Sequence, residues 1–423
     1  MSASEKGLNS LDAAAASGMR RGMEKESLRA RPDGSLATTP HPAALGSPLT
    51  HAHITTDFSE SQLELITGAR SSVDAMLQEL TSIHQVVYRA LTDRDEILWC
   101  ASMPCQLPPD DEIPLGRYGS SNVGRAKTVY RMGLAHRYGR RMQTISGIHY
   151  NWSLPNCSNE DYFGLVRNFR RTAWLLFYLF GASPAVCESF VAGNPKHGLQ
   201  RLAAGTLYLP HATSLRMGRL GYQSDAQSSL SVSYNSLADF GASLYGALTT
   251  PYPPYEQIGL QDGNGEYRQL TTSLLQIENE FYGKIRPKRR IRPGERPLHA
   301  LRERGVEYVE VRLMDLDPFS PIGITAATCR FLDVFLLYCL LGESPPDTPA
   351  EIAAITRNQD RVAARGREPG LTLSRGGQEV PLEAWGREIL ALCEPVAAKL
   401  DSQLGGIAYR DAVKAAFSAL DNP

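Results

Sequence analysis

Three features that would assign a protein quickly are absent from this sequence. Lys and Arg total 44 and Asp and Glu total 45, so the formal net charge is −1 and no overall field attracts nucleic acid or an anionic membrane. The longest apolar runs, residues 173–182 and 331–341, fall well short of the ~20 residues that span a bilayer. No apolar stretch of signal-peptide length follows the N-terminus. We therefore expect a cytoplasmic protein without nucleic-acid or membrane partners. We also expect a monomer, although none of these observations bears on the oligomeric state.

Cysteine is infrequent and shows no pattern. The seven cysteines have no CxxC and no repeated spacing, which argues against a disulfide framework or a structural zinc site. No GxGxxG or GxxxxGK[ST] motif opens a helix, which disfavours doubly wound and P-loop nucleotide folds. The composition, 42% hydrophobic and 21% charged, is that of an ordinary folded globular protein rather than a disordered or fibrous one.

Hydrophobic patterning predicts strands and long helices that do not alternate regularly. Residues 59–91 carry apolar side chains at three- and four-residue steps, which predicts one helix with Ser59 as its N-cap. Residues 161–180 and 328–341 have the composition of buried helices. Alternating or turn-bounded runs predict strands at residues 22–36, 141–154 and 305–313. We expect an α+β fold, with a mainly antiparallel sheet backed by helices.

Carboxylates recur at spacings that suit a cation site. Glu24 and Glu26 are two residues apart, so on a strand both point to the same face. Asp57 and Glu64 are seven apart, about two helical turns, which predicts that they share one side of a helix. The third group follows strand parity, which places Glu310 and Arg312 on one face and Glu307 on the other.

The same parity applied to residues 143–153 aligns Gln143, His149 and Asn151 on one strand face. Each of these pieces, taken alone, is usually a solvated face or a structural histidine. Three acidic groups in one chain favour a metal site. Oxygen-rich ligands with one imidazole suit magnesium or manganese rather than zinc.

Basic residues offer candidate anion-binding groups. Residues 284–292 hold six basic side chains in nine; such a run is usually a solvated loop, but beside an acidic cluster it can offer cations to nucleotide phosphates. Within it, Lys288 and Arg289 are our nucleotide-binding candidates. Arg131 and Arg216 lie among Tyr, Gly and Ser, where a guanidinium can bind a carboxylate or phosphate bidentately; a surface ion pair is an equal alternative.

Together these segments resemble the proteobacterial type of glutamate–cysteine ligase. The matching stretches include RRGMEKESLR, RMQTISGIHYNWSLP, YLPHATSLRMGRLGY, LLQIENEFYGKIRPKR and GVEYVEVRLMDLDPFSPIGI, in the order of the family. The resemblance implies a fold similar to the carboxylate–amine ligases that include glutamine synthetase, with a curved antiparallel sheet that holds magnesium ions. It also implies one catalytic domain over residues 1–423, without the C-terminal extension that is usual in the family.

The activity that the resemblance implies is ligation of the side-chain carboxylate of L-glutamate to L-cysteine, with ATP as co-substrate and a γ-glutamyl phosphate intermediate. The product would be γ-glutamylcysteine, the first intermediate of glutathione biosynthesis. The implied metal ligands, for Mg²⁺ or Mn²⁺, are Glu24, Glu26, Asp57, Glu64, His149 and Glu310. The residues implied to face the transferred phosphate are Arg312 and Arg131. Arg216 is implied to hold glutamate. The residues implied to surround cysteine are Phe58, Tyr130, Gln143, Asn151, Tyr222 and Tyr282.

Three other functions stay open at this point. A relative without catalytic activity could keep the fold and bind a ligand, although the intact acidic and arginine positions weigh against it. A ligase of the same mechanism could use a different amine acceptor, because the cysteine pocket is inferred from the resemblance alone. A nucleic-acid-binding protein could use residues 284–292, which the net charge of −1 disfavours.

Overall fold

A computed structural model describes residues 5–221, 225–228 and 230–422. Within those ranges the strands are Arg20–Ala30 (β1), Ile54–Thr56 (β2), Gln62–Ile66 (β3), Ile97–Leu98 (β4), Ile148–Ser153 (β5), Ala185–Cys187 (β6), Gln200–Ala203 (β7), Thr206–Tyr208 (β8), Ile285–Lys288 (β9), Tyr308–Met314 (β10), Thr372–Arg375 (β11) and Gln378–Pro381 (β12). The helices are Glu5–Ser10 (α1), Ala13–Gly18 (α2), Val73–Thr92 (α3), Asn122–Tyr138 (α4), Asn159–Thr172 (α5), Trp174–Phe180 (α6), Asp225–Ser228 (α7), Leu237–Thr249 (α8), Pro253–Ile258 (α9), Pro297–Arg304 (α10), Ala326–Leu341 (α11), Pro349–Arg365 (α12), Leu382–Leu404 (α13) and Ala408–Asp421 (α14).

The main sheet is antiparallel and has the strand order β2-β3-β1-β5-β10-β9, with β4 paired to the end of β1. Cross-strand partners set which side chains meet: Glu24 lies opposite His149, and Glu26 lies opposite Glu64. Glu310 of β10 lies opposite Asn151 of β5. Because opposite residues in an antiparallel pair share a face, the polar side chains of four strands are gathered on one side of the sheet. The α+β fold with an antiparallel sheet is confirmed.

The other face of the sheet is apolar and is covered by helices. Met23, Leu65, Tyr150 and Val311 point into one buried cluster with residues of α3, α5, α6 and α11. Helix α11 is apolar on nearly all sides, as expected for a helix buried within the core, and it packs between α5, α13 and α14. The polar face of the sheet is therefore free to serve as a site, while the apolar face holds the protein together.

One ion pair lies within this core. The guanidinium of Arg21 on β1 is 2.8 Å from the carboxylate of Asp333 on α11, and both side chains are buried. The hydroxyl of Tyr150 donates to Asp333 Oδ1 at 2.9 Å, and that of Tyr409 on α14 donates to Oδ2 at 3.5 Å. A buried charge is tolerated only when it is paired and hydrogen-bonded, so this network ties α11 and α14 to the sheet.

The predicted helix over residues 59–91 was wrong in its first part. Residues 62–66 form β3 between β2 and β1, and the helix begins only at Val73, where Ser72 Oγ accepts from the backbone N–H of Ala75. The helical spacing of Asp57 and Glu64 was also wrong, because Glu64 is on β3 and Asp57 is in the turn before it. Pairing with β1 determines the conformation of these residues, whatever their local spacing.

The remaining element predictions are mostly confirmed. Residues 22–36 form β1 and a return that bridges Ala30 to Leu36, and residues 305–313 contain most of β10. The predicted strand at 141–154 is limited to β5, because residues 142–144 form a 3-10 turn, and strand parity therefore does not apply to Gln143. The helix predicted at 161–180 is two helices, α5 and α6. Within the described ranges, no helix combines the length and the apolar character needed to cross a bilayer.

Candidate active site

The polar face of the sheet carries a compact acidic cluster. We use this term for Glu24 and Glu26 of β1, Glu64 of β3, His149 of β5 and Glu310 of β10. Glu24 Oε2 is 3.0 Å from His149 Nδ1, Glu310 Oε1 is 3.9 Å from the same nitrogen, and Glu26 Oε1 is 3.6 Å from Nε2. Glu24, His149 and Glu310 each offer one ligand atom, and these three atoms lie within 4.8 Å of one another. Five predicted metal ligands are thus adjacent.

Like charges are crowded in this cluster. Burial, together with the nearby charge of Asp57, raises the pKa of Glu26 to about 8. Burial and the charges of Glu24 and Asp57 hold the pKa of Glu64 well above its usual value. In both groups, burial and the neighbouring carboxylates outweigh the guanidinium charges nearby, which are those of Arg216 and Arg312 for Glu26 and of Arg131 for Glu64.

The residues present fit a hard divalent cation. His149 Nε2 and Glu310 Oε2 are buried and have no hydrogen-bond partner among the described residues, so both are available as ligand atoms. Burial, reinforced by the charge of Arg312, lowers the pKa of His149, which keeps the imidazole neutral and able to coordinate. Carboxylate oxygens with a single imidazole are the donor set that magnesium and manganese accept.

Three cationic side chains surround the carboxylate of Glu310. Arg312 Nη1 lies 3.1 Å from Glu310 Oε1 and 3.3 Å from His149 Nδ1. Lys288 Nζ and Arg286 Nη1 of β9 lie 3.6 Å and 3.8 Å from Glu310 Oε2. Burial alone would raise the pKa of Glu310, but Lys288, Arg312 and Arg286 hold it well below its usual value. A bound polyanion would therefore meet three cations beside the acidic cluster.

Of the two predicted nucleotide-binding residues, only Lys288 lies beside the cluster. Arg289 donates to the carbonyl oxygen of Arg304 at 2.7 Å and is 3.6 Å from Glu307, on the other side of the strand. Adjacent residues at the end of a strand point to opposite faces, which explains the difference. Arg286, which has the same strand parity as Lys288, was not predicted from the sequence.

Arg131 contacts the turn that carries Asp57. Its guanidinium donates to the carbonyl oxygens of Asp57, Lys127 and Thr56, and it stacks 4.5 Å above the ring of Tyr118. The hydroxyl of Tyr118 also donates to the carbonyl of Asp57, at 3.0 Å. These contacts fix the main chain of the Asp57 turn next to Glu26 and Glu64. The predicted role of Arg131 at the phosphate stays a prediction.

Arg216 is almost fully buried beneath β5 and β10. Its Nη2 donates to the carbonyl oxygen of Arg312 at 2.8 Å, and its Nη1 is 3.9 Å from Asp315 Oδ1. Asp315 in turn accepts from the hydroxyls of Ser183 at 2.6 Å and Ser214 at 3.1 Å. The sequence analysis missed Asp315, because no sequence pattern links residue 315 to residues 183 and 214.

Of the residues predicted to surround cysteine, two are in direct contact and a third lies at the acidic cluster. Gln143 Nε2 donates to the hydroxyl of Tyr282 at 2.8 Å, so these two form one wall. Asn151 Nδ2 donates to Glu24 Oε1 at 3.0 Å and therefore lies at the acidic cluster.

Two further predicted cysteine-pocket residues, Phe58 and Tyr130, lie in different parts of the chain. Phe58 is buried directly after Asp57. Tyr130 is on α4, where its carbonyl oxygen accepts from Gln276 Nε2 at 3.3 Å. Tyr222 lies outside the described residues. The structure thus brings Gln143 and Tyr282 together directly, and it leaves the pocket roles of these residues as predictions.

An antiparallel sheet that presents carboxylates, an imidazole and several cations on one face suits phosphoryl transfer, where positioning and charge compensation provide most of the catalysis. Fold and site thus define a class of enzyme, the ATP-dependent ligases. The family model for glutamate–cysteine ligase matches residues 8–362. The chain belongs to the glutamate–cysteine ligase family.

Individual relatives agree with this assignment. The chain is 49% identical to a glutamate–cysteine ligase of Alcanivorax borkumensis over 438 residues, which covers 98% of the chain and 83% of that protein. It is 50% identical to one of Azotobacter vinelandii, covering 95% of the chain and 79% of the relative.

Two solved structures share the fold. The crystal structure of a Francisella tularensis glutamate–cysteine ligase in complex with AMP superimposes with a TM-score of 0.90 at 39% identity, covering 96% of this chain and 82% of that one. A bifunctional glutathione synthetase from Pasteurella multocida gives a TM-score of 0.76 at 27% identity, covering 100% of this chain and 50% of that one.

Proposed function

We propose that this enzyme uses ATP to join the side-chain carboxylate of glutamate to the amine of cysteine, which gives γ-glutamylcysteine, ADP and phosphate. This reaction is the first step of glutathione biosynthesis. The observation that carries the proposal is the meeting of Glu24, His149 and Glu310 with Arg312 on one sheet face, in a chain whose family model covers residues 8–362.

The acidic cluster would hold Mg²⁺, or Mn²⁺ in its place, through Glu24, Glu26, Glu64, His149 and Glu310, with Asp57 at its edge. Such a cation, when bound, offsets the charge of the triphosphate and of the glutamate carboxylate. The protein's own cations would act on the same charges: Arg312 and Lys288 lie within 4 Å of Glu310, and we propose that they pair with phosphate oxygens of ATP.

The remaining residues orient the two amino acids. We propose that Arg216, buried between Gly147 and Asp315, contributes positive charge where the glutamate is held. Gln143 and Tyr282 would contact the cysteine, and Tyr130 and Phe58 would close the space around it. Orientation of the amine toward the acyl phosphate converts an encounter between two molecules into a step within one complex.

We further propose that the reaction takes place in the cytoplasm. All seven cysteines are free thiols, and free thiols are typical of a reducing compartment. A reducing compartment also keeps the cysteine substrate and the thiol product from forming disulfides.

The proposal is tested by phosphate release from ATP and magnesium in the presence of glutamate, with cysteine, alanine, 2-aminobutyrate, serine or ammonia as the acceptor. Mass spectrometry of the product identifies the new bond. We expect turnover that requires glutamate and is fastest with cysteine, with a γ-linked dipeptide as product. Preference for another amine would replace the acceptor and keep the mechanism, whereas release with none of them would contradict the proposed function.

A matched pair of variants links the activity to the acidic cluster. Glu310→Gln removes a carboxylate of the cluster and should abolish turnover. Glu307→Gln changes a carboxylate that lies just before the same strand. The Glu307 carboxylate is 3.0 Å from Arg290 and lies away from the acidic cluster. We expect turnover of the Glu307 variant to stay close to that of the unmodified enzyme. Equal turnover in both variants would remove Glu310 from the site.

A further inference from the structure

A second buried ion pair lies behind the predicted cysteine pocket, away from the acidic cluster. Glu280, in the turn after Leu275, is 1% exposed. Its Oε1 lies 3.0 Å from Arg137 Nη1 on α4, and both side chains are fully buried. The same oxygen accepts from the hydroxyl of Tyr138 at 2.8 Å. The other oxygen, Oε2, accepts from the backbone N–H of Gln276 at 2.5 Å.

Each carboxylate oxygen of Glu280 is connected, through one intermediate residue, to one of the two pocket tyrosines. On one side, the ring of Tyr138 packs edge to face on that of Tyr282, with centroids 5.7 Å apart. On the other side, Glu280 accepts from the backbone N–H of Gln276. The side-chain Nε2 of the same glutamine donates to the carbonyl oxygen of Tyr130. One carboxylate therefore connects the two segments that carry Tyr282 and Tyr130.

Gln227 strengthens the connection to Tyr282. Its Nε2 donates to the carbonyl oxygen of Glu280 at 2.9 Å and to the hydroxyl of Tyr138 at 3.2 Å. Its Oε1 accepts from the backbone N–H of Tyr282 at 3.0 Å. The main chain and the ring of Tyr282 are thus both held, while its hydroxyl accepts from Gln143.

Arg137 completes the network and keeps it rigid. Besides Glu280, its guanidinium donates to Gln269 Oε1 at 3.0 Å and to the carbonyl oxygen of Thr271 at 2.6 Å, and it stacks 4.0 Å above the ring of Tyr255. A buried charge pair whose donors and acceptors are satisfied has one favoured arrangement, because any other arrangement leaves a buried charge unpaired.

We propose that Glu280 and Arg137 are positioning residues for the amino-acid acceptor: they hold Tyr130 and Tyr282 at the separation that fits cysteine. Neither residue lies among the contacts of the acidic cluster, so metal, ATP and glutamate should not depend on them. The inference rests on the proposed function, because it concerns the pocket for the second amino acid. It predicts that loss of the pair weakens acceptor binding selectively.

The test compares Glu280→Gln with Glu278→Gln in the otherwise unmodified enzyme. Glutamine at 280 replaces one acceptor oxygen with an NH₂ group, which then faces either the N–H of Gln276 or the donors of Arg137 and Tyr138, and it leaves Arg137 without a counter-charge. Glu278, two residues earlier on the same turn, pairs with the exposed Arg296. We expect Glu280→Gln to raise the KM for cysteine about tenfold, with the KM values for ATP and glutamate within about twofold of the unmodified enzyme. Glu278→Gln should leave all three unchanged.

Two results would overturn the inference. An unchanged KM for cysteine would show that the pair does not position the acceptor pocket. A parallel rise in all three KM values would show a general structural role. These outcomes are distinct from failure of the proposed function, which appears as absence of γ-glutamylcysteine with the unmodified enzyme. If the enzyme prefers another amine, the same comparison is made with the KM of that amine.

Tyr138→Phe provides a second variant that keeps the charge pair. It removes only the hydroxyl that joins Glu280 to Gln227, and the ring that packs on Tyr282 stays. We expect a rise of about threefold in the KM for cysteine, because the hydrogen bonds of this hydroxyl to Glu280 and from Gln227 are lost while the charge pair stays. An unchanged KM for cysteine in this variant would contradict the path through Tyr138.

Discussion

Gly147 has no side chain at the place where the guanidinium of Arg216 lies. A β-carbon at position 147 would overlap Nη2, Cζ and Nε of Arg216. The backbone of Gly147 also bonds to Glu26: its N–H donates to Glu26 Oε2 at 2.8 Å, and its carbonyl accepts from the N–H of Glu26 at 3.0 Å. The glycine therefore brings the proposed glutamate-binding arginine next to β1, the strand that carries Glu24 and Glu26.

The first prediction concerns this contact. Gly147→Ala should displace the Arg216 side chain and raise the KM for glutamate about tenfold, because a small displacement of a binding group is costly. Steady-state kinetics at varied glutamate concentration measures this KM. Gly246→Ala is the matched control, since nothing lies within 4 Å of a β-carbon there, and it should gain about 1 kcal/mol of stability in α8. An unchanged glutamate KM would separate Gly147 from the substrate site.

The second prediction concerns cation binding without turnover. Glu24→Gln removes a charged ligand 3.0 Å from His149, and we expect it to weaken Mn²⁺ binding at least about tenfold. Electron paramagnetic resonance of free Mn²⁺, in the absence of substrates, gives the affinity directly. Glu307→Gln serves as the control. Equal Mn²⁺ affinity in the Glu24 variant and the unmodified protein would place the cation elsewhere.

The third prediction concerns stability in acid. Burial on α3, reinforced by the charge of Lys25, lowers the pKa of His84 from 6.5 to about 3. Between these values the unfolded chain binds a proton that the folded protein excludes, so stability falls as pH falls through this window. At pH 5 the His84 contribution should be a loss of about 2 kcal/mol relative to pH 7.

Urea titrations from pH 7 to pH 4 measure this dependence. His84→Leu should flatten it, because no proton is then taken up at position 84. A variant with the same acid sensitivity as the unmodified protein would assign the effect to other groups.

The fourth prediction concerns the ion pair beneath the sheet. Asp333→Ala leaves the buried Arg21 without its counter-charge and should lower the free energy of unfolding by about 3–5 kcal/mol. The exposed pair between Arg375 and Glu388 is the comparison, where Glu388→Ala should cost about 0.5 kcal/mol. Chemical denaturation measures the free energy of unfolding of both variants. Equal losses of this free energy would contradict a structural role for the Asp333 network.

Strand parity explains why much of the site was predictable. Side chains on a strand alternate with a period of two, so Glu24 with Glu26 and Glu310 with Arg312 could be assigned to shared faces from spacing alone. Which faces would meet could not be read from spacing, since the register between β1, β3 and β5 depends on contacts across the chain. The family resemblance supplied that information.

The errors have physical causes. Leu63 and Ile66 are three residues apart, a spacing that occurs both on helices and by chance on strands, and their place next to β1 decides in favour of the strand. Gln143 was assigned by the parity of a strand that begins only at Ile148. Arg286 was not predicted because residues 284–292 were taken for a loop, whereas residues 285–288 form β9, whose alternation places Arg286 and Lys288 on one face.

The strand order of the sheet also bears on how the protein is made. β3, β1, β5 and β10 stand side by side, yet the cluster they carry draws on residue 24 near one end and residue 310 much later in the chain. At the usual pace of translation, on the order of tens of seconds separate the appearance of Glu24 from that of Glu310. A growing polypeptide therefore carries the cluster residues of β1, β3 and β5 without Glu310 until β10 is inserted between β5 and β9, and the acidic cluster is incomplete before then.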